Sequence, residues 1–150
     1  MNTTKGIFSH KSDEWETPQW LFDNLNEGFH FDLDVCATDE NTKCAEWYTE
    51  EADGLKQDWG VATVWCNPPY SQCEAWCKKV YEHYLNGGVG VMLLPVRTDT
   101  RWFHDYVWGK AEIIFIRGRL RFGGSTQNAP FPSMVVVYAE KWGVKPWLKS

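Results

Sequence analysis

The chain has 150 residues, of which 43% are hydrophobic and 23% charged, and its formal net charge is −5. This composition is that of a globular protein large enough for one domain with a buried core, and it excludes a disordered or fibrous chain. No apolar stretch approaches the roughly 20 residues that a membrane span needs, and residues 1–6 lack the apolar core of a signal peptide. We therefore expect a cytoplasmic protein with no membrane partner.

Charge is distributed unevenly along the chain. Residues 1–60 hold 14 acidic and 4 basic side chains, whereas residues 61–150 hold 6 acidic and 11 basic ones. An acidic first part and a basic second part fit a polyanion that contacts one side of the molecule. From composition alone, an acidic face that is merely solvated explains the pattern equally well.

The five cysteines predict neither a disulfide framework nor a metal site. Their number is odd and none of them forms a C-x-x-C motif. Cys73 and Cys77 would share a helix face, but no His or Cys pair at ligand spacing completes a zinc site. We expect reduced and mostly buried thiols.

The first part of the chain predicts one helix and one strand. Residues 1–12 are expected to form a flexible arm, and residues 13–150 a single compact domain. Thr17 is the expected N-cap of a helix with Pro18 at its first position, and the helix should end near Gly28. Alternation of apolar and polar residues then predicts a strand over 29–35, and residues 47–48 could form another short one.

The rest of the chain predicts a mostly parallel sheet. We expect strands at 61–66, 89–94, 112–116 and 133–139. The helix that follows the first of these should open with a capping box made by Ser71 and Glu74, and a second helix should span about 98–107. Alternating strands and helices predict an α/β sheet with crossover helices, closed by an antiparallel hairpin over 112–139 whose tip is long and basic.

The sequence Asn67-Pro68-Pro69-Tyr70 directly follows an apolar strand and suits the methylation of a planar amino group. The Asn67 amide oxygen and the Pro68 carbonyl can both accept hydrogen bonds from an NH₂ group. The two prolines have no N–H that would compete, and Tyr70 has a flat face on which an extruded base could stack. A plain turn is the structural alternative, since Asn-Pro favours turns.

Asp34 lies at the end of the first predicted strand, and Asn67 directly follows the next long strand. Ligands of open α/β sheets bind beyond the carboxyl ends of the strands, so both side chains could face one crevice. The alternative for Asp34 is a strand residue that faces solvent.

Five separated segments, in order, resemble the small bacteriophage DNA N6-adenine methyltransferases of the Dam type, which use S-adenosylmethionine. They are residues 13–18, 31–35, 64–70, 94–103 and 117–122. The resemblance implies a Rossmann-like methyltransferase fold and transfer of a methyl group to adenine in DNA. It implies that the catalytic residues are Asn67, Pro68, Pro69 and Tyr70, and that the cofactor contacts are Trp15, Thr17, Pro18, Asp34, Ala37, Asp58 and Asn67.

Two of these assignments have plainer alternatives, and one feature departs from the pattern. Thr17 could act only as a helix cap, and Asp58 could be a surface charge. Many methyltransferases have a glycine-rich turn after the first strand, where this chain has residues 36–41 without a glycine.

Five arginines are the candidate DNA contacts. Arg117, Arg119 and Arg121 have the period of two that would line one face of a strand, although this could also be a solvated hairpin face. Arg97 and Arg101 would share a helix face. A chain of this length has no room for a separate recognition domain, so we expect a short or degenerate target of about one to three base pairs around the adenine.

Two other functions fit the same residues. The tetrad could hold an RNA base or a protein glutamine amide, although the basic second part favours nucleic acid. A catalytically inactive DNA-binding module is the alternative outside enzymes, and the intact Asn67 and Tyr70 argue against it.

Overall fold

Five strands form one mixed sheet in the computed structural model, which describes residues 15–140. In chain order the strands are β1 (Leu33–Asp34), β2 (Thr63–Cys66), β3 (Val89–Pro95), β4 (Glu112–Phe115) and β5 (Ser133–Tyr138). Their order in space is β1-β2-β3-β5-β4. β1, β2 and β3 are parallel, and β5 runs antiparallel to both β3 and β4. The expected antiparallel hairpin is therefore confirmed, whereas the arm expected over 1–12 lies outside the described residues.

Within the described residues two α-helices flank the sheet, α1 (Gln19–Phe29) and α2 (Cys73–Leu85). On one face of the sheet α1 packs through Leu21, Phe22 and Leu25. On the other face α2 packs through Trp76 and Val80. The inner strands are buried on both faces, as apolar runs in a covered sheet usually are. The arrangement is thus a three-layer α/β unit.

The strand predicted over 29–35 was wrong in its first half. Phe29 ends α1 and is buried, because it continues the stripe of Leu21 and Leu25 at a spacing of four. His30 then adopts a left-handed conformation, with φ 55°, and the helix stops there. Regular pairing with β2 is confined to the two residues of β1.

Both predicted helix starts also differ from the structure. Pro18 occupies the cap position of α1, one residue later than expected, and no side chain caps the helix there. Before α2, the Tyr70–Gln72 segment forms a 3₁₀ turn, and the cap position of α2 is Gln72, one residue later than expected, with no capping hydrogen bond from the Gln72 side chain. The helix expected over 98–107 is replaced largely by a π-helical segment, Phe103–Val107.

Parallel pairing places the ends of three elements at one edge of the sheet. The carboxyl ends of β1, β2 and β3 meet there, and Ser133 at the start of β5 pairs with Pro95. The loop after β1 and the tetrad after β2 therefore leave the sheet side by side. Within residues 15–140 no helix is long and apolar enough to cross a membrane.

Candidate active site

A cavity of about 550 Å³ lies at the edge of the sheet where β1 and β2 end. Its volume is in the range of small-molecule sites. Five of the residues assigned to cofactor binding from the sequence line it: Trp15, Thr17, Asp34, Ala37 and Asn67. Asp34 and Asn67 therefore do face a common crevice, as the order of the strands suggested.

The side-chain amide of Asn67 has a defined orientation. Its Nδ2 donates to the Trp15 carbonyl oxygen and, over 3.0 Å, to the Thr17 hydroxyl oxygen. Because a carbonyl can only accept, the NH₂ group must be the end that faces Trp15. The other end, Oδ1, is buried and has no hydrogen-bond partner among the described residues. Asn67 thus keeps one acceptor that no described residue satisfies and that is shielded from solvent in this conformation.

Asp34 is buried, with 3% of its surface exposed, and it organises the loop after β1. Its Oδ1 accepts a hydrogen bond from the Cys36 N–H at 3.4 Å, and its Oδ2 accepts one from the Lys43 N–H at 3.1 Å. Burial raises the pKa of Asp34 to about 7, although the two N–H donors and the Lys43 charge act in the opposite direction.

The loop after β1 has no glycine, and hydrogen bonds to side chains hold its turn together. Thr38 N–H donates to Asn41 Oδ1 over 2.7 Å, and Asn41 N–H donates to Thr38 Oγ1 over 3.0 Å. These reciprocal bonds satisfy the turn, while the Asp34 carboxylate binds both ends of the loop. The absence of the glycine-rich turn therefore does not prevent a compact loop beside the cavity.

A second wall of the cavity was missed in the sequence analysis. Asp53 and Gly54 line it, and Asp53 has a left-handed backbone with φ 57°. Gly54 lies so close to β1 that a Cβ atom there would overlap the Val35 carbonyl oxygen. The Asp-Gly pair is a turn signal visible in the sequence, but nothing in the sequence brings it against the end of β1.

Two of the cofactor assignments lie outside the cavity lining. Asp58 is exposed, and its carboxylate accepts a hydrogen bond from the Gly60 N–H in a local turn. Pro18 is buried at the start of α1. Asp53 therefore occupies the place in the lining that Asp58 was expected to have.

Four aromatic rings form a cluster beside the tetrad. Tyr70 contacts Phe131 edge-on at 5.6 Å between ring centroids, and Trp15 packs against Phe131 at 5.1 Å and Phe122 at 5.3 Å. Tyr70 is only 4% exposed, and its hydroxyl is buried without a partner among the described residues. The face that was expected to receive a base is therefore covered in this conformation.

The candidate DNA-binding arginines lie on the surface but not on one strand. β4 ends at Phe115, and Gly118 has φ 75°, so the chain that carries Arg117, Arg119 and Arg121 is irregular. All three are exposed, while Leu120 and Phe122 between and after them are buried. We call residues 117–132 the basic tip. The three arginines are therefore exposed to solvent, although residues 117–121 do not form a strand.

Arg97 and Arg101 do not share a helix face. A turn from 97 to 100 is closed by hydrogen bonds from the Thr100 N–H and hydroxyl to the Arg97 carbonyl. Arg97 instead donates from Nη1 to the Tyr70 carbonyl over 3.4 Å, which brings a cation next to the tetrad. Arg101 is exposed.

The charges around the cavity are mainly negative. Four carboxylates line it, Glu16, Asp34, Glu50 and Asp53, against one ammonium group, that of Lys43. Such a lining favours a ligand that carries positive charge. Among residues 15–140 no group of three or more His, Cys, Asp or Glu side chains could hold a metal ion.

Comparison with known proteins gives consistent matches. Residues 4–143 match the family model described as DNA N-6-adenine-methyltransferase (Dam). A DNA N-6-adenine-methyltransferase of Haemophilus phage HP1 is 33% identical over an alignment of 150 residues, gaps included. The alignment covers 94% of this chain and 87% of the relative. A protein of the same name from Escherichia phage T1 is 37% identical over 110 residues, 72% of this chain but only 46% of the relative.

The raised pKa of Asp34 predicts how stability depends on pH. The folded state takes up a proton near pH 7 and the unfolded state near pH 3.8, so the folded state binds more protons between these values and its stability falls as the pH rises. Asp34→Asn removes this titration. The free energy of unfolding is measured with urea for both proteins. We expect the value for Asp34→Asn minus that for the wild type to be roughly 2 kcal/mol larger at pH 8 than at pH 5. An equal difference at both pH values would contradict the raised pKa.

Proposed function

Because the chain belongs to the Dam family of DNA N-6-adenine-methyltransferases, we propose that it transfers a methyl group from S-adenosylmethionine to the N6 amine of adenine in DNA. The observation that carries this proposal is the free acceptor of Asn67. Its Oδ1 is buried just after β2 and has no hydrogen-bond partner among residues 15–140, while both N–H groups of the same amide are engaged. An unpartnered buried acceptor costs stability, so it favours a ligand with an N–H donor.

The sheet supports a Rossmann-like methyltransferase fold as part of the proposal. Three parallel strands carry helices on opposite faces, and the candidate site is at their carboxyl ends. Sites at this edge are the general rule for open α/β sheets.

The charges and the hydrogen-bonding groups of the cavity lining support S-adenosylmethionine as the cofactor. The sulfonium and the ammonium group of this cofactor are cations, and four carboxylates surround the cavity. Lys43 is available to the cofactor carboxylate, Asp34 and Asp53 offer acceptors for hydroxyl groups, and Trp15 and Trp76 offer apolar surface. The cofactor would supply a methyl group activated by its bond to positively charged sulfur.

The protein contributes hydrogen bonding and orientation to the reaction. The N6 amine of adenine is a poor nucleophile because its lone pair is delocalised into the ring. A hydrogen bond from this amine to Asn67 Oδ1 favours a pyramidal nitrogen whose lone pair is available. The bond strengthens as positive charge develops on nitrogen, so it stabilises the transition state more than the ground state.

Access of the base requires a rearrangement at Tyr70. An adenine inside a duplex is out of reach and must be extruded before it can bind. In the present conformation Phe131 contacts the Tyr70 ring, and the tyrosine is almost fully buried. We therefore assign to Phe131 and the end of the basic tip a movement that uncovers Tyr70 when DNA binds.

Asn67→Ala should abolish methyl transfer because it removes the acceptor for the target amine, and it should weaken S-adenosylmethionine binding only in part, since Nδ2 also holds the cavity-lining Trp15 and Thr17. The assay incubates the protein with DNA and labelled S-adenosylmethionine and then digests the DNA to nucleosides. The wild type should yield labelled N6-methyladenine. Asn86→Ala, an exposed position at the end of α2, is the matched control and should keep full activity. Near-normal turnover of Asn67→Ala would overturn the mechanism.

The basic tip should contribute phosphate contacts to DNA binding. Each phosphate contact adds about 0.9 to the slope of log K against log salt. Arg121→Ala should therefore lower that slope by about 1 and weaken binding to unrelated sequences equally. Lys78→Ala, an exposed cation on α2, should leave the slope as it is. A slope unchanged by Arg121→Ala would remove the tip from the DNA interface.

The target of methylation should be short or degenerate, about one to three base pairs around the adenine. Reading a longer site takes several side chains held against base edges, and the basic tip is the candidate element that extends from the sheet for this purpose. Mapping N6-methyladenine across a genome exposed to the protein measures the target directly. A strict site of five or more base pairs would show that a further recognition surface exists.

A further inference from the structure

Thr17 does not have the role in α1 that its sequence position suggests. The cap position belongs to Pro18, and no side chain caps that helix. Thr17 is nevertheless buried, with 4% of its surface exposed, and its hydroxyl oxygen lies 3.0 Å from Asn67 Nδ2. A buried hydroxyl bonded to a side chain 50 positions away connects the N-terminal segment to the tetrad.

The hydrogen bonds of Asn67 determine which end of its amide is left without a partner. A side-chain amide has two N–H donors and one oxygen. The Trp15 carbonyl accepts from one donor and Thr17 Oγ1 from the other, so both donors are used. The oxygen is the end that remains. Without Thr17, one N–H would be unpaired and the amide could turn, presenting a donor to a target amine that is itself a donor.

We propose that Thr17 is a positioning residue: its hydroxyl, together with the Trp15 carbonyl, holds the Asn67 amide with Oδ1 directed at the target amine. This proposal rests on the proposed function, because it assigns to Thr17 an effect on the same transfer step. It differs from the role implied by family resemblance, in which Thr17 contacts the cofactor.

The backbone around Thr17 is itself held in place, which gives the hydroxyl a fixed position. The following proline restricts Thr17 to an extended backbone. The carbonyl of Glu16 accepts a hydrogen bond of 2.9 Å from the Gly123 N–H of the basic tip. The Trp15 ring packs on Phe122 of the same tip. The residues before Thr17 are therefore bound to the tip, and the proline after it restricts the backbone.

Thr17→Val and Thr17→Ser test the proposal as a pair. Valine keeps the shape but loses the acceptor, whereas serine keeps the hydroxyl. Loss of one hydrogen bond should lower kcat of Thr17→Val about 5- to 10-fold, with KM for S-adenosylmethionine and for DNA within about twofold of the wild type. Thr17→Ser should recover most of kcat. Unchanged kcat in Thr17→Val would overturn the proposal, and so would a raised KM for the cofactor at constant kcat.

A second measurement does not depend on activity. The side-chain NH₂ resonances of Asn67, assigned by their absence in Asn67→Ala, report its hydrogen bonds in the ligand-free protein. They should shift in Thr17→Val and return towards the wild-type position in Thr17→Ser, and unchanged resonances would overturn the proposed contact. The two proposals can fail separately. If the wild type makes no N6-methyladenine but Thr17→Val still shifts the Asn67 resonances, the proposed function is refuted and the contact that positions Asn67 is established.

Discussion

The amide of Asn67 is the contact on which the site depends, because it binds a segment of the chain 50 residues away. Its two N–H groups hold Trp15 and Thr17 against the end of β2. The same segment is bound on its other side to Gly123 and to the aromatic rings of the basic tip. The N-terminal segment thus lies between the tetrad and the surface assigned to DNA, and any movement of the tip is passed to it through direct contacts.

The electrostatics of the cavity follow from where the strands end. Asp34 is drawn into a buried position by its place in β1, and desolvation raises its pKa to about 7. Two backbone N–H groups partly offset this cost and at the same time close the loop after β1. The result is an acidic lining with one lysine, next to an outer surface whose exposed arginines are basic. Positive charge is therefore attracted to the cavity, and a polyanion to the surface that carries the arginines.

The comparisons show the family, and the structure places some of the predicted site residues in the cavity lining and others outside it. The tetrad follows a buried parallel strand, as the sequence indicated, and Asp34 and Asn67 line the same cavity. Asp58 and Pro18 do not line it, while Asp53 does. Thr17 lines the cavity and also bonds to Asn67, so it is in contact with both the cavity and the tetrad.

Much of the fold could be predicted from local sequence, because apolar runs such as 61–66 and 89–94 are recognisable wherever they pair. The tetrad, its place after a strand and the closing hairpin were determined in the same way. Errors arose where two local patterns overlapped: Phe29 fits both a strand of period two and a helical stripe, and packing of α1 against the sheet decided for the helix. Which side chains meet Asn67, whether Asp53 or Asp58 borders the cavity, and whether Tyr70 is open or covered were decided only by the tertiary structure. These contacts join residues far apart in the chain, and their free energy comes from burial and from hydrogen bonds that no local pattern encodes.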